Sequence, residues 1–276
     1  MKKRGVSIVL VLILLVGAGL MLYPVVSNYL NQRSQSKAIE SYNQTAATAN
    51  VAFYEETLAD AQAFNHMLFE RGAISLLQGE DMEKYMSLMN LRDDGVIGYV
   101  HIPKIKVNLT IGHTVEEEVL RKKAGHMPGS SFPIAGENVH AVLSAHRGLP
   151  SASLFSNLDQ LEVGDTFQIH VLDRIYDYQV REINVILPEE TEYLNIVPGK
   201  NYVTLMTCTP YGVNTHRMLV RGEFVSESRI GDQQPETENS LLFFLEEHKH
   251  LLLPIAAGVL LFLFLILLLP KRSGKK

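Results

Sequence analysis

Two long apolar runs constrain this chain more than any other feature of its sequence. Residues 5–26 contain no charged side chain, and residues 251–270 contain neither a charged nor a hydrogen-bonding side chain. A helix needs about 20 predominantly apolar residues to cross the hydrocarbon core of a bilayer. Both runs meet that requirement, so the sequence predicts one membrane span towards each end of the chain.

Basic residues flank the outer end of each apolar run. Lys2, Lys3 and Arg4 precede the first run, and four more basic residues follow the second run in residues 271–276. Because lysine and arginine are retained on the cytoplasmic side, both termini are predicted to be cytoplasmic at the plasma membrane. An alternative for the first run is a cleaved signal peptide, since its basic, apolar and small-residue parts follow in that order. Under both interpretations the folded part is extracytoplasmic.

The part of the chain between the two basic tails is acidic. Once the seven basic tail residues are left out, 18 lysines and arginines face 30 aspartates and glutamates, a net charge of −12. A nucleic-acid partner requires a basic surface, which this composition excludes. No cysteines and histidines stand at zinc spacing, and we expect neither a metal nor a cofactor. Acidic clusters at residues 116–118 and 189–192 are expected to be solvated, with a calcium site as the alternative.

Hydrophobic periodicity divides the part between the spans into a helical and a strand-rich region. Residues 37–90 are rich in Ala, Glu, Met and Leu, which predicts short helices with breaks near Gly72 and Gly79. Strand patterns follow, and residues 166–172 and 176–186 predict a hairpin with one buried face. We therefore expect a mainly antiparallel β domain, in which closure into a barrel removes exposed edges. The predicted parts are a membrane span or signal anchor at 1–30, an extracytoplasmic helical segment at 31–94, a β-barrel with short helices at 95–228, a polar linker at 229–247, and a second span with a basic cytoplasmic tail at 248–276.

Cys208 is the only cysteine of the chain. Exported domains usually contain cysteines in disulfide pairs, and a single cysteine has no internal partner. Cys208 follows a strand pattern at residues 204–207 and precedes a turn-forming stretch at residues 209–212. A side chain at the end of a strand is held rigidly while the next loop opens towards a substrate. Cys208 is therefore a candidate nucleophile, with a buried inert thiol as the alternative.

A nucleophilic thiol needs a base and an oxyanion donor. An imidazole stabilises the thiolate and later protonates the leaving amine near neutral pH. His146 is the best candidate among ten histidines because it lies just past a strand pattern, and His216 is the alternative base. Arg217 is the candidate oxyanion donor, since it stands nine positions after Cys208 and a strand, loop and strand would return it beside the thiol.

Residues 204–222 resemble the TLxTC signature of the sortases, with its following loop and arginine strand, and are most similar to the pilus-assembling class C. The resemblance extends to residues 95–105, 125–134 and 146–150 and covers about half of the chain. It implies a sortase β-barrel with two flanking transmembrane helices. It also implies that Cys208 is the nucleophile, that His146 is the general acid and base, and that Arg217 positions substrate and stabilises the oxyanion.

The same resemblance implies a reaction and its partners. The substrate would be an LPxTG-like sorting signal of a pilin precursor, cleaved between Thr and Gly. Cys208 would hold the acyl group as a thioester until a lysine of another pilin resolves it, so that pili polymerise. The alternatives are a sortase that anchors proteins or pili to the cell-wall precursor, a hydrolytic cysteine protease, and a non-catalytic membrane scaffold that binds pilins.

Two features of the sequence depart from the class C pattern. Many class C members carry an Asp-Pro-aromatic triplet in a lid before the barrel, whereas residues 37–94 contain no such triplet. Control of the site by a lid within residues 31–94 is therefore an open expectation. Ala145 stands where glycine is common, and residues 108–113 replace a run similar to Leu-Pro-Ile-Tyr. We expect these changes to alter substrate fit rather than chemistry.

Overall fold

The computed structural model describes residues 2–48, 50–74 and 76–229, together with Lys249 and Gly258. The predicted linker and second span therefore lie, apart from Arg229 and those two residues, outside the described residues. The described chain forms two compact units, and the boundary between them falls between Tyr29 and Leu30. The second unit contains the strand-rich region.

Helix α1 runs from Lys2 to Thr48 and contains the first apolar run. Its part from Val11 to Thr48 includes an 18-residue window with a mean hydropathy of 2.0, and it is long and apolar enough to cross a membrane. It is the one such helix in the part of the chain that the structure describes. The helix does not stop at residue 30, where we placed the end of the span, because no glycine or proline follows Pro24 before Thr48.

Two further helices complete the helical segment. Helix α2 spans Val51–Arg71, and the side chain of Asn50 caps its start by accepting a hydrogen bond from the N–H of Ala52. Helix α3 spans Glu80–Ser87. Gly72 ends α2 with a positive φ of 85°, and Gly79 immediately precedes α3, so both predicted breaks are present. The expectation of only short helices is wrong for α2, which is 21 residues long because its interior lacks glycine and proline.

Eight strands form a closed barrel, which confirms the predicted mainly-β fold. Around the barrel the strands follow the order β1-β2-β3-β4-β7-β8-β6-β5. Six neighbouring pairs are antiparallel, and two are parallel, β2 with β3 and β4 with β7. The strands are β1 Val96–Ile102, β2 Val107–His113, β3 Ala124–His126, β4 Val139–Ser144, β5 Thr166–Val171, β6 Arg174–Ile186, β7 Asn201–Thr209 and β8 His216–Arg229, and a short helix α4, Glu117–Leu120, lies between β2 and β3.

Alternating side chains build the barrel core. The predicted hairpin is β5 with β6, and Tyr176, Tyr178 and Val180 on its inner face are each at most 1% exposed. Strand β7 is buried on both faces. Its inner residues Val203 and Leu205 join the main core, whereas Met206 packs in a second apolar cluster on the outer face. The outer face of β7 is therefore covered by apolar packing at Met206, two residues before Cys208.

The helical segment is fixed to the barrel by buried hydrogen bonds. The hydroxyl of Tyr42 in α1 donates to the carbonyl of Ile97 at 2.8 Å and accepts from the N–H of Leu172 at 2.7 Å. The hydroxyl of Tyr85 in α3 contacts His126 Nδ1 at 3.0 Å and accepts from the N–H of Thr114 at 3.1 Å. Buried polar groups that are paired in this way fix the register of the helices on the barrel.

Candidate active site

Cys208 and Arg217 lie directly opposite each other on the antiparallel strands β7 and β8. Directly opposite residues share one face of a sheet, with Cβ atoms about 4.5–5.5 Å apart. Cys208 is a free cysteine of intermediate burial and lies on the same outer face as Met206, two residues earlier. The structure thus brings the predicted nucleophile and the predicted oxyanion donor together.

His146 reaches the same end of the barrel through the parallel pair of β4 and β7. Ser144 is in register with Met206, so continuing this register by two residues places His146 beside Cys208. Two hydrogen bonds extend the pairing past the end of β4. The N–H of Ala145 donates to the carbonyl of Met206 at 3.2 Å, and Thr207 Oγ1 donates to the carbonyl of Ala145 at 2.8 Å.

His216, the alternative base, is placed less favourably. It lies opposite Thr209, one position before Arg217 on β8. Because successive side chains of a strand point to opposite faces, His216 projects from the face opposite to that of Arg217 and Cys208. Its Nδ1 contacts the hydroxyl of the adjacent Thr215 at 2.9 Å. The geometry therefore favours His146 as the partner of the thiol.

Glu117 contacts the candidate base and was not foreseen as a site residue. Its Oε2 lies 3.0 Å from His146 Nε2, and its Oε1 accepts from Arg121 Nε at 2.8 Å. The Arg121 guanidinium, followed by His146, lowers the pKa of the Glu117 carboxyl. The i,i+4 spacing of Glu117 and Arg121 is visible in the sequence. The contact to His146, 29 positions away, depends on the tertiary fold.

Arg217 is positioned by the loop that joins β7 to β8. Its Nη1 donates to the backbone carbonyls of Asn214 at 3.3 Å and His216 at 3.1 Å. A guanidinium has five N–H donors in a rigid fork. Binding of one loop carbonyl and the first carbonyl of β8 by one nitrogen fixes the direction of the fork, while other donors remain available to a substrate oxygen.

The outer face next to Cys208 is apolar and is shared with the helical segment. Met206 and Leu219, one row from Cys208 and Arg217, pack with three buried residues in one cluster, and Ile74 and Met127 cover it. The backbone N–H of Ile74, between α2 and α3, donates to Asn195 Oδ1 at 3.0 Å. The three buried residues are Val142, Ile186 and Leu194. A cleft of about 310 Å³ lies between β6, β8 and the loop from β6 to β7, and it is lined by Glu182, Glu192, Tyr193, Asn195, Val197 and Arg221.

The acidic clusters have local protein partners. Glu117 pairs with Arg121 and His146, and Glu190 Oε2 accepts from the N–H of Leu187 at 2.7 Å. Within the described ranges, no group of three or more His, Cys, Asp or Glu residues is arranged to hold a metal ion. Of these two clusters, Glu117 and Glu190 therefore form local contacts within the protein.

Comparison with known proteins identifies the family. The family model "Sortase domain" matches residues 100–225. The crystal structure of sortase C1 from Streptococcus agalactiae has 41% sequence identity and a TM-score of 0.67, covering 69% of this chain and 98% of its own. The Streptococcus pneumoniae sortase C structure has 38% identity and a TM-score of 0.63, covering 70% of this chain and all of its own.

A curated relative adds a more distant match. Sortase A of Streptococcus agalactiae is 30% identical over 159 residues, which cover 56% of this chain and 62% of that protein. The chain thus spans less than two thirds of this relative, whereas it covers nearly the whole length of the sortase C structures. Both the sequence and the fold agree with the resemblance drawn from residues 204–222. The chain belongs to the sortase family of cysteine transpeptidases, and its structural neighbours are the pilus-associated class C members.

Proposed function

We propose that this chain is a pilus-type sortase that cleaves an LPxTG-like sorting signal between Thr and Gly and joins the acyl group to a pilin lysine. The observation that carries the proposal is the pairing of Cys208 with Arg217 beside His146, in a barrel similar to sortase C1. One similar structure is described as giving insight into pilin substrate specificity, and another as a sortase of a pilus island. These descriptions support a pilin precursor as the substrate.

The proposed reaction consists of two acyl transfers. The Cys208 thiolate attacks the Thr carbonyl carbon, and the tetrahedral oxyanion receives hydrogen bonds from Arg217. The Thr–Gly C–N bond then breaks, and His146 gives its proton to the leaving Gly amine. A pilin lysine amine next attacks the thioester, transfers a proton to His146, and forms an isopeptide bond as the Cys208 thiolate leaves. Neither transfer requires a metal or a cofactor.

The proposed location is the outer face of the plasma membrane. Helix α1 supplies an apolar segment of sufficient length for an anchor. The basic residues at both ends of the sequence favour cytoplasmic termini, with a second span within residues 248–276. In this arrangement the sortase domain at residues 95–228 meets pilin precursors while they are still held in the same membrane.

We also propose that the connection between α2 and α3 covers the site. Ile74 packs against the apolar cluster next to Cys208 although residues 37–94 lack the Asp-Pro-aromatic triplet. Next to Cys208 the contact consists of the partly buried Ile74 side chain and one backbone hydrogen bond to Asn195, whereas Leu77 of the same connection is buried in the main core. Local opening costs least where few apolar contacts are made, so displacement by a substrate would be confined to the part around Ile74.

The function is tested with the full-length chain in detergent, a pilin that carries a sorting signal, and gel analysis of covalent polymers. We expect lysine-linked ladders that a Cys208→Ala variant does not form, while an otherwise similar Val225→Ala variant at an exposed site on β8 forms them normally. Linkage only to a wall-derived amine would contradict polymerisation in favour of anchoring. Release by water alone would favour a protease, and assembly that survives Cys208→Ala would favour a scaffold.

A further inference from the structure

Arg147, the residue after His146, is a buried cation. Its side chain is only 9% exposed, and it forms an ion pair with Asp159. Removing a guanidinium from water costs several kcal/mol unless its hydrogen bonds and charge are matched. Within the described residues, the Nε of Arg147 is buried without a hydrogen-bond partner. An apolar side chain would fill this position at lower cost, so the arginine needs a reason beyond packing.

The contacts of Arg147 join two loops. Its Nη1 lies 3.4 Å from the hydroxyl of Thr209, the residue after Cys208. Its guanidinium carbon lies 5.7 Å from the centre of the Tyr211 ring, within the range of a cation–π contact. Gly148 makes room for that ring, because a Cβ at residue 148 would lie 3.0 Å from Tyr211 Cζ. Arg147 therefore connects the loop after β4 with the loop after β7.

These contacts complete a pair of cross-links around the candidate catalytic residues. On the near side, Ala145 is bound to Thr207, so the residues just before His146 and Cys208 are joined. On the far side, Arg147 contacts Thr209, so the residues just after them are joined as well. His146 and Cys208 each lie between two connections. The first consists of a buried hydrogen bond in the extended β4–β7 pairing, and the second consists of the Arg147 side chain.

We propose that Arg147 is a positioning residue that holds His146 in reach of Cys208, an inference that rests on the transpeptidase function proposed above. Proton transfer between a thiol and an imidazole requires the two atoms to approach within about 3–3.5 Å, and a displacement of about 1 Å costs roughly 100-fold in rate. Arg147 acts through the backbone of residue 146 and through Thr209. Asp159, held on the following loop, fixes the guanidinium from its other side.

The test uses the full-length chain, a sorting-signal peptide and an amine acceptor, with kcat and KM measured separately. For Arg147→Gln we expect kcat to fall about 10- to 100-fold while KM stays within about twofold, because the substrate-binding groups remain. Thr209→Val, which keeps the side-chain volume and removes the hydroxyl, is expected to lower kcat about threefold to tenfold. Arg147→Lys, which keeps the charge near Asp159 without the planar fork, is expected to fall between Arg147→Gln and the wild type.

Two comparisons separate positioning from stability. Arg174 is also a largely buried arginine with carboxylate partners, at the end of β6 far from Cys208, so Arg174→Gln is the matched control. We expect it to lower the unfolding temperature without changing kcat per folded molecule. The Arg147→Gln and Thr209→Val effects should be less than additive when combined, since both remove one contact. Full additivity, or a loss explained by the folded fraction alone, would overturn the proposal.

The alkylation of Cys208 by iodoacetamide gives a readout that needs no substrate. In the wild type, the pH profile of alkylation should change when His146 is replaced by alanine. When Arg147→Gln is already present, adding His146→Ala should change the pH profile of alkylation much less, because the His146 imidazole and the Cys208 thiol are already separated. An unchanged effect refutes positioning by Arg147. If the wild type is alkylated as expected but transfers no peptide, the proposed function is wrong. The alkylation comparison still decides whether Arg147 positions His146.

Discussion

Four buried histidines make the barrel sensitive to mild acid. His126 and His140 are completely or almost completely inaccessible, and burial lowers the pKa of each to about 4 from an ordinary value of 6.5. Burial lowers the pKa of His170 to about 3 and also lowers that of His113. The partners of His126 suit the neutral ring, since its Nε2 faces the Ser131 carbonyl at 2.8 Å and its Nδ1 faces the Tyr85 hydroxyl at 3.0 Å. Both ring nitrogens of His113 face backbone carbonyls, which favour the protonated ring, but burial outweighs them.

The sign and size of the effect follow from proton linkage. Between pH 6.5 and about 4, the unfolded chain binds a proton at His126 and at His140 that the folded chain does not bind, so stability falls as the pH falls. The full loss is about 3 kcal/mol for each of these two residues, and the slope is about 1.4 kcal/mol per pH unit for each proton. Native domains have only about 5–15 kcal/mol of stability. With His113 and His170 adding to the slope, we expect a large part of this stability to be lost by pH 5.

The measurement is urea unfolding of the full-length chain in mild detergent at several pH values from 5 to 7. The free energy of unfolding should fall steeply with pH over this window, with a slope that corresponds to more than two protons. His140→Asn should reduce the slope by about 1.4 kcal/mol per pH unit whatever its effect at pH 7. His66→Gln, at a side chain that is 73% exposed, should leave the slope unchanged. A slope of less than one proton in the wild type would refute the argument.

Two further predictions concern the site. Glu117→Gln should lower kcat about threefold to tenfold, because an amide can face His146 with either its oxygen or its NH₂ group and so does not hold one tautomer of the ring. The effect is limited because the Glu117 side chain is 57% exposed. Steady-state peptide transfer measures it, and an unchanged kcat would contradict a role for the contact. Ile74→Asp should raise the iodoacetamide rate of Cys208 about fivefold, since a half-buried isoleucine contributes about 1 kcal/mol to closure. An equal or slower rate would show that this side chain does not cover the thiol.

The pairing of Cys208 with Arg217 is a local feature and could be predicted from the sequence. A strand, a short turn-rich loop and a second strand within 19 residues have few ways to pair, so the nine-residue spacing was informative. The hairpin of β5 and β6 was predictable for the same reason, because its alternation and its short turn lie within one segment.

The parallel contacts could not be predicted, and they decide where His146 lies. Strands β4 and β7 are paired in parallel although 56 residues, 145–200, separate the end of β4 from the start of β7. The periodicity of a strand shows which face is buried and does not show its neighbour or its register. The nearness of His146 to Cys208 was therefore an inference from resemblance, whereas the register of β4 and β7 gives it a physical basis.

The contact between Glu117 and His146 determines which ring nitrogen is available to the thiol. A carboxylate only accepts hydrogen bonds, so His146 Nε2, at 3.0 Å from Glu117 Oε2, must carry a proton. In the neutral ring the lone pair then resides on Nδ1, which is the atom that remains to accept the Cys208 proton. Glu117 thus orients the base from the side that faces α4, while Arg147 holds its backbone from the side of β7. Both residues lie a few positions past a strand end, but their contacts with His146 and Thr209 come from the tertiary fold and not from sequence spacing.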